Sequence, residues 1–323
     1  MSNAPNHNGT IGVFYEHPEW FEPMFAEFER RGVQYDRLLA DRHSFDPAER
    51  QNPYRLVLNR MSPSAFTRGK AHAIPYTLQY LAYLKAIGTN VIGGYDAYVY
   101  EFSKARQLEL LARLGLPHPR ARVINHTSQA SRAAEGLTFP VVIKPNIGGS
   151  GAGIQKFDTP AELKAAALTG KFELGLDHTA LVQEYLPPRE ASIVRVEVLG
   201  GEILYAIKLL LESPTSFNLC PADYCRPGQG GLADGVSGRG VPVEGYTPPS
   251  EVAEAVKRIT EAAHIDVGGV EYLVNDRDGQ IYFYDINALS NFVADAPNVV
   301  GFDPFPKLVD FVLARAGLAG NGA

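Results

Sequence analysis

The segment that most limits what this chain can fold into runs from Val270 to Asn287. Two β-rich runs, Val270-Glu271-Tyr272-Leu273-Val274 and Ile281-Tyr282-Phe283-Tyr284-Asp285-Ile286-Asn287, flank the turn Asp276-Arg277-Asp278-Gly279, a pattern that predicts an antiparallel hairpin. Strand side chains alternate faces, so Asp285 and Asn287 are expected on one face together with Ile281 and Phe283. A hairpin symmetric about Asp278 sets Glu271 opposite Asp285. Two opposed carboxylates in an apolar hairpin repel, and burial makes keeping both ionised costlier still. A hard divalent cation between them relieves this, because Mg²⁺ takes carboxylate and phosphate oxygens, and Asn287 adds an amide oxygen. The competing reading is a shifted register, with both acids in water at a sheet edge.

The rest of the chain reads as mixed α/β. Ile11 to Tyr15 is a buried strand, and Trp20, Phe21, Met24, Phe25 and Phe28 recur at helical spacing before Gly32. Tyr54 to Leu58 reads as the next strand, and Ile74 to Ile87 as a helix ending at Gly88. Ser103 can cap a helix from Lys104 to Leu114. Strands follow at Arg120–Ile124, Val141–Lys144 and Leu181–Tyr185, with a helix at Ala161–Leu168. Ile193–Leu199 and Ile203–Leu209 form a hairpin about Gly200-Gly201. Glu212 to Tyr246 reads as a long loop, and helices close the chain at Glu251–Ala263 and Phe305–Ala316. A length of 323 residues predicts two or three compact units, and the first hundred or so residues make one of them.

Thirty Lys and Arg against 36 Asp and Glu give a net charge of −6, which argues against nucleic-acid and anionic-membrane partners. No run approaches the roughly 20 apolar residues that span a bilayer, so a cytoplasmic, reduced location is the default expectation. Cys220 and Cys225 have no histidine nearby to complete a zinc site and read as free thiols. No heptad or apolar stripe sets an oligomeric state, and a homo-oligomer stays open.

Two further segments can handle an anion or a nucleobase. Lys144 ends a β-branched run and precedes Pro145 and the cluster Gly148-Gly149-Ser150-Gly151-Ala152-Gly153, whose backbone N–H groups can approach an anion. The cluster has neither the Walker nor the dinucleotide spacing, and a glycine cluster taken alone is more often a plain flexible turn. Gln183-Glu184-Tyr185-Leu186-Pro187-Pro188-Arg189-Glu190 joins a strand exit to a bend and an acid, or is merely a stiff linker.

In their joint order these pieces resemble the ATP-grasp superfamily, in the branch of carboxylate-amine ligases with RimK-type ligases, glutathione synthetase and D-alanine:D-alanine ligase. The resemblance covers about Ser103 to the end of the chain and implies an α/β (α+β) ATP-grasp fold, with an N-terminal α/β pre-ATP-grasp domain at 1–100, a central subdomain with the glycine loop at 101–184 and a C-terminal subdomain with the metal site at 185–323. It implies two ATP lysines, Lys104 and Lys144, and a mobile loop over the phosphates that includes Gly149, Ser150 and Gly151. It also implies an adenine hinge at Gln183, Glu184, Tyr185 and Leu186, and a ribose acid at Glu190. Glu271, Asp285 and Asn287 match the metal positions, for Mg²⁺ or alternatively Mn²⁺, although the family usually shows Asp and then Glu. Arg195 matches the arginine of the RimK-type Asp-Ile-Arg motif, with Ile193 in place of the Asp, and is the catalytic candidate. Lys208 and Asn218 fall where phosphate and acceptor contacts are made.

The implied reaction is ATP-dependent ligation of a carboxylate, activated as an acyl phosphate, to an amine, with an amino acid or peptide among the substrates. A phosphotransferase on the same scaffold, a non-catalytic ATP-binding module and a non-ATP α/β enzyme are the alternatives, the last leaving the glycine loop and both lysines unexplained. Arg60, Arg226 and Arg239 are candidates for holding a substrate carboxylate.

Overall fold

A computed structural model describes residues 10–17, 19–149, 151–211 and 242–318. Three sheets follow one another along the chain. The first is parallel, in the order β2-β1-β3-β4, with β1 Ile11–Tyr15, β2 Tyr35–Leu39, β3 Leu56–Arg60 and β4 Val91–Ile92. Central β1 and β3 are buried throughout, as strands covered on both faces must be. The strand expected at 54–58 lies at 56–60, and β2 had not been expected. As a half-exposed edge strand of sequence YDRLL, β2 lacks the apolar run that marks its neighbours.

The second sheet is antiparallel in the order β5-β8-β6-β7, built from β5 Ala121–Ile124, β6 Val141–Pro145, β7 Gln155–Phe157 and β8 Ala180–Glu184. Helix Pro160–Thr169, with Thr159 capping its start, packs Leu163 and Ala166 against Val141, Ile143 and Val182.

The third sheet, β11-β10-β9-β12-β13, consists of β9 Ser192–Leu199, β10 Glu202–Leu210, β11 Val243–Tyr246, β12 Val267–Val274 and β13 Ile281–Asn287. Gly200 and Gly201 turn β9 into β10 at φ 61° and 87°, the positive values a two-residue hairpin requires. β11 lies within the stretch expected to be loop; residues 212–241 of that stretch are outside the described residues.

The faces of the third sheet explain where the polar residues sit. Val194, Val196 and Val198 pack with Leu110, Leu111, Val256 and Ile259 of helices Lys104–Arg113 and Ser250–Ala262. The opposite face sends Ile193, Ile207, Leu209 and Leu273 into a core shared with Ile11, Val13 and Leu58 of the first sheet. On β9, Arg195 and Glu197 alternate with the valines and so interrupt this second face. No described helix is long and apolar enough to cross a membrane.

Candidate active site

The register expected for the terminal hairpin holds where it matters. Glu271 pairs with Asp285, and Gly269 with Asn287. Nearer the turn, the pairing shifts by one at a bulge where Tyr284 and Asp285 both face Glu271. The bulge corrects the expectation that Asp285 and Asn287 share a face with Ile281 and Phe283. Ile281, Phe283 and Ile286 pack in the helix-covered core, whereas Tyr284, Asp285 and Asn287 line a cleft on the other side.

Two lysines from different elements converge on Asp285. Lys104 Nζ lies 2.8 Å from Asp285 Oδ1, and Lys144 Nζ lies 3.1 Å from the same atom. Burial alone would raise the Asp285 carboxyl; the two ammonium groups outweigh it and hold the acid well below the usual carboxylate range. Burial and the neighbouring Lys104 charge pull Lys144 down. Burial also disfavours charge on Lys104, but Asp285 more than compensates and raises it.

Neither lysine is placed by chance. Ser103 caps the Lys104 helix and donates to Asn146 Oδ1 at 3.0 Å; Ala105 N donates to that oxygen as well, and Lys104 N to the Asn146 carbonyl. Asn146 Nδ2 in turn donates to Asp177 at 2.7 Å. The Lys104 helix is thereby tied to the strand that carries Lys144. Gln107, on the same helix, donates to the Ile286 carbonyl at 2.7 Å and accepts from Ile286 N at 3.2 Å, which docks it against β13 beside Asp285.

Arg195 completes a row across β9, β12 and β13, in which it pairs with Glu271 and Glu271 with Asp285. Its Nε donates to Glu197 Oε1 at 2.6 Å and its Nη1 to Glu271 Oε1 at 3.2 Å. Tyr284 donates to Glu271 Oε2 at 3.0 Å. Burial, and then the Asp285 charge, push the Glu271 carboxyl upward. The donor chemistry fits a hard divalent ion: two carboxylates and the amide of Asn287, whose Nδ2 lies 3.2 Å from Asp285 Oδ2. Among the described residues no cluster of three or more His, Cys, Asp or Glu stands ready for a metal, so such an ion needs ligand oxygens to complete its shell.

Gly149, Gly151, Gln183, Glu184, Tyr185 and Leu186 line the same cleft as Lys104, Lys144 and Arg195. Gly149 rests on Ser64, since a Cβ there would come within 2.8 Å of Ser64 Cβ. The Glu184 side chain faces away to bond Thr138 N at 2.7 Å and Arg120 at 3.3 Å. Glu190 and Lys208 pair with each other at 2.9 Å, and neither lines the cleft. Ser150, Asn218, Cys220, Cys225, Arg226 and Arg239 lie outside the described residues. Arg60 is fully buried and donates to the Ser290 carbonyl rather than facing the cleft.

Several cleft residues escaped sequence reasoning. Trp20, Ser62 and Ser64 come from the ends of the first sheet, and Trp20 stacks on His17 at 4.1 Å between planes 1° apart. Glu101 accepts from Ala288 N at 2.6 Å, and burial pushes its carboxyl up to about 7. The one signal that could have found them is position: β1 and β3 end just before Glu16 and Met61, and open parallel sheets bind ligands beyond their carboxyl ends.

Residues 102–213 match the family model of the RimK-like ATP-grasp domain. A D-alanine–D-alanine ligase of Ectopseudomonas mendocina is 29% identical over 219 residues, 65% of this chain and 64% of that ligase. The aligned stretch thus spans just under two thirds of that relative. Among solved structures, the D-cycloserine synthetase DcsG superposes with a TM-score of 0.66 at 15% identity, covering 95% of this chain and 100% of that one. The ATP-grasp ligase PsnB, complexed with minimal precursor, Mg and ADP, gives a TM-score of 0.62 at 17% identity over 96% and 99% of the chains. The lysine pair, the glycine loop and the carboxylate corner gather in one cleft, and residues 102–213, which carry several of these groups, are a RimK-like ATP-grasp domain by their family match.

Proposed function

We propose that the protein is an ADP-forming ligase that joins a carboxylate to an amine at this cleft, with ATP and Mg²⁺ and with an amino acid or peptide among its substrates. The observation that carries this reading is the meeting of Lys104 and Lys144 on Asp285, beside Glu271 and Asn287. Residues 1–100 act as the substrate-side domain, 101–184 as the unit that covers nucleotide, and 185–323 as the unit that holds metal. The relatives named above are ligases, and PsnB was solved with Mg and ADP.

Each charged residue has a physical task in this reaction. The substrate carboxylate oxygen attacks the γ-phosphorus and ADP leaves; the amine nitrogen then attacks the acyl carbon, phosphate leaves, and the nitrogen gives up a proton. Both steps build negative charge on oxygen, so the cleft needs fixed cations. Lys104 and Lys144 supply two of them. In the free protein Asp285 holds both, and their transfer to phosphate oxygens frees Oδ1 for a ligand of its own. Mg²⁺ held by Glu271, Asp285 and Asn287 would neutralise the phosphate oxygens during transfer. Arg195 is the group for the acyl phosphate and the oxyanion formed when the amine adds. Gly149 and Gly151 belong to a loop that excludes water from the acyl phosphate. Gln183 to Leu186 hold the adenine, Ser150 and Asn218 are assigned to phosphate and acceptor contacts, and Glu190 and Lys208 would meet ribose and phosphate only by giving up their mutual pair.

ADP release, measured against panels of carboxylates and amines, tests the proposal. Release that requires both partners is expected. Release with a carboxylate alone, leaving a stable phosphorylated product, would replace the ligase by a phosphotransferase.

A further inference from the structure

Arg195 and Glu271 stand opposite each other on β9 and β12, yet the bond between them is single rather than a two-pronged guanidinium–carboxylate pair. Such a pair places two parallel N–H groups on the two carboxylate oxygens and is the strongest arrangement open to them. Here Arg195 instead reaches Glu271 with Nη1 alone, at 3.2 Å, because its Nε is taken by Glu197 Oε1 at the shorter distance of 2.6 Å. Glu197 is 1% exposed, and its Oε2 has no partner among the described residues. A buried carboxylate with a spare oxygen is expensive, and nothing in the nucleotide reading uses it.

The sheet is built to permit this side-on pose. Arg195 and Glu197 are two apart on β9, so they share a face. Glu271 stands opposite Arg195, and Gly269 opposite Glu197. A Cβ on Gly269 would approach Arg195 Nε to 2.8 Å and Nη2 to 3.0 Å. Only a residue without a side chain lets the guanidinium lean across β12 towards Glu197. The charge is also shared: burial pulls the Arg60 guanidinium down to about 10, against the opposing pull of Glu197 and Glu101. The Glu197 charge thus acts on a buried arginine of the first sheet as well as on the cleft arginine of the third.

We infer that Glu197 is a positioning residue: by taking Arg195 Nε it holds the guanidinium side-on, so that Glu271 is neutralised yet keeps lone pairs for a metal ion. An ionised carboxylate has about four acceptor sites, two on each oxygen. The observed contacts use one on Oε1 for Arg195 and one on Oε2 for Tyr284. A two-pronged Arg195 would claim a further site on Oε2 and leave the carboxylate little to give a cation. Glu197 thus sets how far Glu271 belongs to the arginine and how far to the metal.

This inference rests on the reading that Glu271 helps bind Mg²⁺ with nucleotide, and the test separates the two. Calorimetric binding of ADP, titrated with Mg²⁺, is compared for the wild type, Glu197→Gln, Glu197→Met, Arg195→Ala and the double variant Arg195→Ala/Glu197→Met. Glu197→Met, which fills the space without an acceptor, should raise the Mg²⁺ needed for half-maximal ADP binding about tenfold, and Glu197→Gln about threefold. The double variant should return to the Arg195→Ala value, because the damage is done by a released Arg195. A structural role would instead leave the double variant worse than Arg195→Ala by the full factor, and that result overturns the inference. Should Glu197→Met fail to fold, Glu197→Gln decides alone: a Mg²⁺ requirement equal to wild type overturns the positioning role. Wild-type ADP binding indifferent to Mg²⁺ would overturn the nucleotide reading itself.

Discussion

The cleft has two ends, and they are built by opposite rules. At the carboxylate corner the groups around Asp285 are held by partners on other elements: Lys104 and Lys144 by Asp285, Glu271 by Arg195 and Tyr284, and the Lys104 helix by Asn146 and Gln107. Elsewhere along the cleft wall, Trp20 Nε1 from beyond β1 and Asn291 Oδ1 from beyond β13 are buried with no partner among the described residues, although both side chains line the cleft. On the proposed reading, the corner serves chemistry that is the same for every turnover and is supported accordingly, while the wall keeps polar atoms in reserve for a substrate, since unpaired groups reject a ligand that cannot match them.

Substitutions at the two ends should therefore differ in kind. The largest effect belongs to Asp285→Asn, which leaves Lys104 and Lys144 without their anion and weakens the metal position. ADP release should fall at least about a hundredfold, and near-normal turnover would remove the assignment of the corner. Asn146→Ala cuts the ties between the two lysine-bearing elements. It should lower stability by about 1–3 kcal/mol in denaturant unfolding and weaken ADP binding measurably. Equal ADP affinity would show that the lysines are placed by something other than Asn146.

At the wall, Trp20→Leu should raise the KM of the carboxylate or the amine about tenfold while leaving ADP affinity as it was, and a change in ADP affinity instead would erase the contrast between the ends. The smallest effect is a pH dependence at His17. Burial first, and then the Arg68 charge, lower its pKa from 6.5 to about 4, so between those values the unfolded chain takes up a proton that the folded one refuses. Stability should fall as the pH drops from about 6.5 towards 4, and the fall should shrink in His17→Gln when thermal midpoints are compared across that range.

Much of the corner was legible in the chain. The alternating hairpin named Glu271 and Asp285 as opposed residues, and the run into Lys144 with its glycines marked the loop that lies beside them. Those features are local: periodicity fixes which face a side chain takes, and turn residues fix which strands meet. Glu190 and Lys208 were legible only as members of a motif, and the fold pairs them with each other away from the cleft lining.

What tertiary structure alone decided is the phase and the supports. The bulge at Tyr284 turns Asp285 to the cleft while Phe283 and Ile286 share the core, and alternation cannot announce such a break in itself. Gln107 meets Ile286, Arg60 meets Ser290, and Lys104 meets Asp285 across 179, 230 and 181 positions of chain. Contacts at such separations carry no periodic trace, because nothing in the neighbouring residues must change for them to form. The amino-acid order thus set the donors and the strands that carry them, and the packing of three sheets set which donors share a charge and which are left for a ligand.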